Sequence, residues 1–476
     1  MPLSLRWKGN NNMNEHNHSR REMLKQTGLG FGLAATGTLT GAAFSKPSKV
    51  EAVTPPQNYA SLPVLDEVDV LVCGGGAAGI GAGLGAAQQG VKTLVIENCT
   101  FFGGVISWMV GMEMNQMRPK GKGRSNTIEA LINRLESYGD QALRWRNSHS
   151  MIPNVEYFKV VVLECFDAVG CNYLVGVRAA DAIVEDNVVK GVVVATKRGL
   201  MRINAKAVVD CTGDADIAHY AGAETFIYNE GNLGAMTLGS NYNHWQKPSG
   251  AFKKGRDKYP LLPKSMIIRQ VAKCEFSFYN NEGSLVLGNM ESTNLKERTR
   301  TETQLSRQLV QNVLAMREFG TTEELKSTEL VGAGQQVSAR ESRRLHGVYT
   351  LTIDDIEEGT AQPDTVAWRT GGIDVGPGGL YKPTGMRIFD IPYRSLLPIK
   401  VDGLIVAGRC ISADHIPELS GKSIGNQFAA GQGAGTAAAV AAKRGLLPRK
   451  IDIGEVQAIL TKDNVDLYPS NRSTRA

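Results

Sequence analysis

The stretch Val68–Glu97, "VDVLVCGGGAAGIGAGLGAAQQGVKTLVIE", decides how this chain folds. Its first six residues are an apolar run of strand length that enters Gly74-x-Gly76-x-x-Gly79. A Gly/Ala helix pattern opens at Ala77–Ala78 and runs to Gly90, and a second apolar run, "KTLVIE", ends at Glu97, 21 residues after Gly76. Strand, glycine turn, helix and strand together form a βαβ unit that binds a dinucleotide. Gly74 permits the tight turn, Gly76 lets the backbone approach a pyrophosphate, and Gly79 lets helix and strand pack closely. The helix N-terminus offers unpaired N–H groups and a positive dipole end to the phosphates. Glu97 can accept hydrogen bonds from ribose hydroxyls, and an acid there argues against a 2′-phosphate and hence against NADP. FAD and NAD remain.

Two further segments separate them. "NCTFFGG" places Gly103–Gly104 in a loop running back toward the cofactor, and a strand at Ala207–Asp210 turns sharply through Cys211, Thr212, Gly213 and Asp214 into another helix. Three such turns around one dinucleotide suit a long, extended ligand, FAD.

The bulk numbers fit. With 476 residues the chain can build a large core or two to three domains. At 42% hydrophobic and 21% charged it has the composition of a soluble globular protein. The 53 glycines cluster, as backbone packed against a cofactor or tight strand–helix turns would require. Five basic residues (Arg6, Lys8, Arg20, Arg21, Lys25) and two acids (Glu15, Glu22) give residues 1–45 a balance of +3, leaving +3 of the total +6 for the rest. That is too little for a nucleic-acid binder. The seven cysteines include no C-x-x-C pair, which argues against zinc, iron–sulfur or disulfide frameworks and predicts no metal site. Cys165 and Cys171 are expected to be separate thiols.

The first 45 residues resemble a twin-arginine export signal. "SRREMLK" carries Arg20–Arg21 and Leu24–Lys25, with Met23 where Phe is usual, before a weakly apolar Gly/Ala/Thr run too short and Gly-rich for a permanent membrane span. Ala43 or Ser45 would precede cleavage, and Met13 is an alternative start. This resemblance implies passage through the twin-arginine translocase as a folded, cofactor-loaded protein, with a periplasmic or extracellular destination. Residues 46–65 read as a linker.

Six collinear segments resemble the FAD-dependent oxidoreductases with the glutathione-reductase type of flavin fold: "GGGAAGIGAG", "IENCTFFGG", "VVDCTGDADIA", "SARESRRLHGVYTLTIDDIEEG", "IPYRSLLPIKVDGLIVAGRCISADH" and "GQGAGTAAA". The nearest likeness is to a bacterial group usually described only by that general activity, distant kin of the fumarate-reductase flavoproteins. The likeness implies that Gly74, Gly76, Gly79, Glu97 and Gly104 hold the ADP half of FAD, and that Thr212, Gly213 and Asp214 line the same cleft. It places Gly408 and Arg409 near the ribityl and pyrophosphate. It also implies a helix starting near Asn426, with Ile424, Gly425 and Asn426 at its beginning, whose N-terminus meets the flavin edge that gains negative charge on reduction. Kin have His where this chain has Gly376 and Arg where it has Lys422, so the substrate class does not carry over.

Absent features narrow the chemistry. There is no C-x-x-x-x-C after the first turn, which excludes a disulfide reductase of this fold, and no second G-x-G-x-x-G for NAD(P)H; "VGAGQQV" at 331–337 lacks the third glycine. Electrons are therefore expected from a small organic substrate, leaving to a quinone, a carrier protein or oxygen. "TRTETQLSRQLVQNVLAMREFG" reads as a solvated helix. "NYNHWQKPSGAFKKGRDKYP" reads as a lid over the substrate cleft or an exposed loop, and Arg340, Arg343 and Arg344 as salt-bridge partners or an anion clamp.

The stretch Ala407–Asn426, "AGRCISADHIPELSGKSIGN", lies between a strand-like run and a Gly/Ala helix and holds the catalytic candidates. His415 can take the substrate proton while hydride goes to the flavin. Lys422 can bind a substrate anion or balance reduced flavin. Glu418 and Asp414 read as solvated surface, and Cys410 as a packed small residue.

The sequence thus predicts an α/β protein with a Rossmann-like FAD-binding domain at 66–225 and 396–460. An α+β substrate or cap domain at 226–395 would interrupt it, and a tail at 461–476 would follow. The expected activity is that of an exported FAD-dependent dehydrogenase. A peroxide-forming oxidase and a non-catalytic flavin electron carrier are the alternatives.

Overall fold

The run expected at Val68–Cys73 is the end of a longer strand, β1 (Val64–Cys73), followed by α1 (Ala77–Ala87) and β2 (Thr93–Glu97). The computed structural model describes residues 59–109, 112–227, 249–262, 293–371 and 387–467, apart from single positions at 322, 331, 338, 340 and 360. It also describes strands at Ser48–Val50, Leu238–Asn241, Ile267–Ala272 and Glu275–Tyr279. The leader, Arg340, Gly376 and residues 242–248 of the stretch read as a lid or an exposed loop lie outside these residues.

Val70, Leu71, Val72 and Cys73 are all fully buried, because β1 is central in a mostly parallel sheet with both faces covered. On one side β1 pairs in parallel with β2, and β2 with β3 (Asn172–Val175). After β3 the chain forms β4 (Arg178–Glu185), β5 (Val188–Thr196) and β6 (Gly199–Asp210). The sheet order is β3-β2-β1-β6-β5-β4. β6 is longer than the expected Ala207–Asp210, because its first residues pair antiparallel with β5 while it also runs parallel to β1.

After α2 (Leu295–Phe319), a hairpin of β7 (Thr365–Gly371) and β8 (Arg387–Pro392) precedes β9 (Leu404–Val406). β9 rejoins the first sheet in parallel with β6, with Ile405 opposite Val209. α3 (His415–Gly421) and α4 (Ile424–Arg444) follow. α4 lies between α1 and β7. A Cβ on Gly81 would sit 2.2 Å from the Phe428 carbonyl, one on Gly431 1.9 Å from that of Ala78, and one on Gly433 2.6 Å from that of Val366. Helix-to-helix approach is therefore a third cause of the glycine clustering, beside cofactor and turns.

α2 is less solvated than expected: Leu305, Leu309, Val313 and Met316 are buried while Val310 and Leu314 are exposed. Helix Ser249–Gly255, from the expected lid, packs beside it: a Cβ on Gly255 would stand 3.1 Å from the Phe319 ring. Among the described residues no helix is long and apolar enough to cross a membrane. Cys165 and Cys171 are free thiols.

Candidate dinucleotide and substrate site

β1, β2, β6 and β9 run parallel, so the turns that leave their C-terminal ends gather along one edge of the sheet, where open α/β sheets bind ligands. The glycines of the first turn differ in what surrounds them. At Gly74 (φ 100°) a Cβ would meet the Cys211 carbonyl at 2.5 Å, and at Gly79 it would meet the Gly74 carbonyl at 1.8 Å. Internal packing demands both. At Gly76 an added Cβ would come no closer than 4.0 Å to protein, at Gly104 Cα. There the bare backbone leaves open space, as a closely held phosphate needs.

The loop after β2 closes the facing side. Gly103 N–H donates to the Gly75 carbonyl at 2.8 Å, and a Cβ on Gly104 (φ 53°) would stand 3.0 Å from Gly76 Cα. Glu97 is buried and accepts from the N–H groups of Gly75 and Cys99, each at 2.7 Å. Burial still pushes its carboxyl above the usual value, against the pull of those backbone donors. Glu97 thus braces the turn, and its two oxygens keep lone pairs with which to accept further donors.

At the next strand end Asp210, fully buried, organises the second turn. Its Oδ1 accepts from Thr212 N–H at 3.1 Å and Thr212 Oγ1 at 2.7 Å, and its Oδ2 from Ala218 N–H at 3.0 Å. Arg409 Nη2 donates to Asp214 Oδ1 at 2.7 Å and Nη1 to Ser342 Oγ at 2.6 Å. Ser342 Oγ donates to the same Asp214 oxygen at 2.5 Å. Burial pushes Asp214 upward, but the Arg409 charge, the hydrogen bonds from Ser342 and Arg409 and the charge of Arg343 together hold the carboxyl below its ordinary range. Gly213 lies under Arg409: a Cβ there would stand 3.3 Å from Nη2. Gly408 (φ 102°) abuts the first turn of α1, 3.2 Å from Ala78 Cβ by the same measure. The structure therefore brings Gly74, Gly76, Ala77, Ala78, Gly79, Gly103, Gly104 and Gly408 around one helix start. Thr212, Gly213, Asp214 and Arg409 form the adjoining turn.

α4 starts within the expected Ile424–Asn426, with its first N–H groups engaged by protein. The helix begins at Ile424, and its first two N–H groups donate to Asn115: Ile424 to Oδ1 at 3.2 Å and Gly425 to the carbonyl at 2.9 Å. The Asn426 side chain is buried and engaged with protein. Its Nδ2 donates to the Thr370 carbonyl at 2.9 Å, while its Oδ1 accepts from Thr370 N–H at 3.3 Å and from Arg124. Arg124 packs 4.5 Å over the Trp368 ring and donates to the Gln116 and Trp368 carbonyls. Burial lowers its pKa to about 9.

The stretch expected as a loop between Arg409 and Ile424 contains the short helix α3. Glu418 is not solvated, as its place in a polar loop suggested. It is fully buried, and its Oε2 accepts from Arg369 Nη1 at 2.9 Å in a pair with no exposed side-chain surface. Burial raises its carboxyl despite Arg369, Arg344 and Arg409 nearby. Arg369 Nη2 also donates to the Gly408 carbonyl at 3.2 Å. Cys410 is a packed buried thiol whose pKa burial pushes up. Arg343 and Arg344 are ion-paired but buried, with Asp216 at 2.6 Å and Glu341 at 3.0 Å.

His415 opens α3, with Nδ1 2.9 Å from Glu341 Oε2. Lys422 caps the other end, so the two candidates lie seven positions apart along the helix, about 10 Å of rise. The sequence reading did not find Asp210, Glu341, Arg369 or Arg124. An acid closing an apolar strand before a glycine turn, and a lone Arg within "VAWRTG", were available signals for Asp210 and Arg369. Glu341 and Arg124 offered none, because the site residues they meet, His415 and Asn426, lie 74 and 302 residues away.

A parallel sheet with an open glycine cradle over Gly76 and an acid at the end of the second strand defines a dinucleotide-binding α/β protein. Residues 69–460 match the FAD dependent oxidoreductase family, and the chain belongs to that family. It is an FAD-dependent oxidoreductase, and the open cradle and Glu97 fit the ADP half of that cofactor. The thiamine thiazole synthase of Methanococcus aeolicus is 35% identical over 161 residues, covering 32% of this chain and 57% of the relative. That of Methanococcus maripaludis is 33% identical over 162 residues, covering 32% and 59%. The chain thus spans somewhat over half the length of these curated relatives. Among solved structures, a geranylgeranyl bacteriochlorophyll reductase-like protein from Thermoplasma acidophilum is 13% identical with a TM-score of 0.44, covering 84% of this chain and 82% of the other. An anhydrotetracycline hydroxylase from Streptomyces rimosus is 10% identical with a TM-score of 0.46, covering 83% and 66%.

Proposed function

We propose that this protein is an exported FAD-dependent dehydrogenase acting on a small organic substrate, with His415 taking the substrate proton. The observation that carries the reading is the position of His415. It follows the Gly408 turn that abuts α1, and its Nδ1 is held 2.9 Å from a buried carboxylate. Bound FAD supplies the two-electron acceptor. The substrate gives up a hydride and a proton, His415 receives the proton, and Lys422 would hold an anionic group of the substrate toward the far end of α3. The reducing equivalents leave to a quinone, a carrier protein or oxygen. Residues 226–395 would supply the substrate domain, and the twin-arginine leader would deliver the protein to the periplasm or beyond. The likeness to thiamine thiazole synthases spans only a third of the chain and does not set the substrate.

The test uses purified holoprotein. A panel of sugars, polyols, steroids and organic acids is screened for anaerobic bleaching of the flavin spectrum. His415→Asn should slow bleaching by about a hundredfold or more, and Lys422→Ala should raise the substrate concentration needed. Bleaching rates unchanged in both variants would refute the site. Rapid stoichiometric reduction by NADH alone would refute the electron source, and peroxide formed in air would identify oxygen as the acceptor.

A further inference from the structure

Glu341 is almost completely buried, with 1% of its side chain exposed, in a segment with no cofactor motif of its own. Its Oε2 lies 2.9 Å from His415 Nδ1 and 3.0 Å from Arg344 Nη2. Arg344, equally buried, donates from Nη1 to the Ala413 carbonyl at 2.9 Å, two residues before His415. The same two segments are laced by backbone bonds. Leu345 N–H donates to the Cys410 carbonyl at 2.9 Å, Leu351 N–H to that of Ser412 at 3.0 Å, and Asp414 N–H to that of Leu351 at 2.8 Å. The segment leading into His415 is therefore fixed by the same unit that meets one of its ring nitrogens.

A carboxylate on one ring nitrogen selects the tautomer that carries its proton there and leaves the basic lone pair on the other nitrogen. A buried carboxylate without a counter-ion would be costly, and Arg344 supplies that counter-ion. We propose that Glu341, held by Arg344, is a positioning residue that fixes His415 as the Nδ1–H tautomer, so that proton transfer at this site runs through Nε2. This inference rests on the reading of His415 as the proton acceptor, but its test does not require that reading to hold.

The test labels the histidines of the full-length holoprotein with 15N and reads the ring-nitrogen shifts at a pH well above 7, where histidine is ordinarily neutral. The His415 signals are assigned by their loss in His415→Asn. Wild type should show a protonated Nδ1 and an unprotonated Nε2. Glu341→Leu should shift the population toward Nε2–H and slow substrate-driven bleaching, by less than His415→Asn does. A wild-type His415 protonated on Nε2 overturns the proposal, and this holds even where Glu341→Leu fails to fold. An unchanged tautomer in a folded Glu341→Leu protein overturns it too. If the tautomer behaves as expected while His415→Asn bleaches at the wild-type rate, the positioning stands and the catalytic reading of His415 falls.

Discussion

The glycine turn at Gly74–Gly79 and the ion-pair cluster of Glu341, Arg344, Arg369 and Glu418 meet at Gly408, yet different physics holds each of them. Gly408 abuts Ala78 of α1 on one side, and its carbonyl accepts from Arg369 on the other. The turn is backbone against backbone, where the absence of a Cβ decides what fits. The cluster is charge against charge, buried away from solvent, where each group is tolerable only with its partner present. Removing an atom from the cluster is therefore damaging, whereas adding one is what damages the turn.

The largest effect should come from adding one methyl group. Gly79→Ala places a Cβ 1.8 Å from the Gly74 carbonyl, a backbone group that cannot swing aside as a flexible side chain could. Loss of cooperative urea unfolding is the expected outcome. Gly76→Ala sharpens the contrast, since its Cβ meets open space. The apoprotein's urea midpoint should hold while flavin retained through purification falls. Full flavin retention in Gly76→Ala would show that the open space does not serve the cofactor.

Next in size is the Arg369–Glu418 pair. Arg369→Leu or Glu418→Leu alone should each destabilise by about 3–5 kcal/mol, through a buried charge left alone, and the double variant should regain much of that loss. Urea midpoints of all three test this. If the singles cost no more than the double, the pair does not act as a unit.

Asp210→Asn should be milder, at about 1–3 kcal/mol, because one oxygen that accepts from the second turn or from Ala218 becomes an N–H facing a donor. Lost flavin affinity should accompany it, since the turn carries Thr212–Asp214. A variant as stable as wild type with full flavin would show that the turn holds itself.

The smallest effect is on pH dependence. Burial first, and then the neighbouring Asp214, push the Asp216 carboxyl up to about 7. Its folded pKa thus exceeds the unfolded value of about 3.9, so between these limits the native state binds more protons. This contribution to stability must fall as pH rises from about 4 to about 7. About a third of the Asp216 side chain is exposed, so solvent screens the effect. Asp216→Asn should flatten that part of the stability profile. A wild-type slope surviving in the variant would assign it to another group.

Legibility in the sequence follows the same division. Gly74, Gly76, Gly79 and Glu97 could be placed because all four lie within one βαβ unit, whose spacing is fixed by strand and helix rise. The α4 start at Ile424 was legible too, but Asn115, which accepts its first two N–H groups, lies 309 residues away and was not. Glu418 looked like surface because its neighbours in sequence are polar; its counter-ion is 49 residues away on β7.

By itself the sequence determined the dinucleotide cradle, the parallel sheet around it and the class of cofactor, because these depend on local periodicity and on positions where only glycine fits. The tertiary structure alone decided which carboxylate faces His415, which arginine neutralises Glu418 and what occupies the start of α4. Each of those is a contact between distant segments, and a residue's type sets what partner it needs but not which part of the chain delivers it.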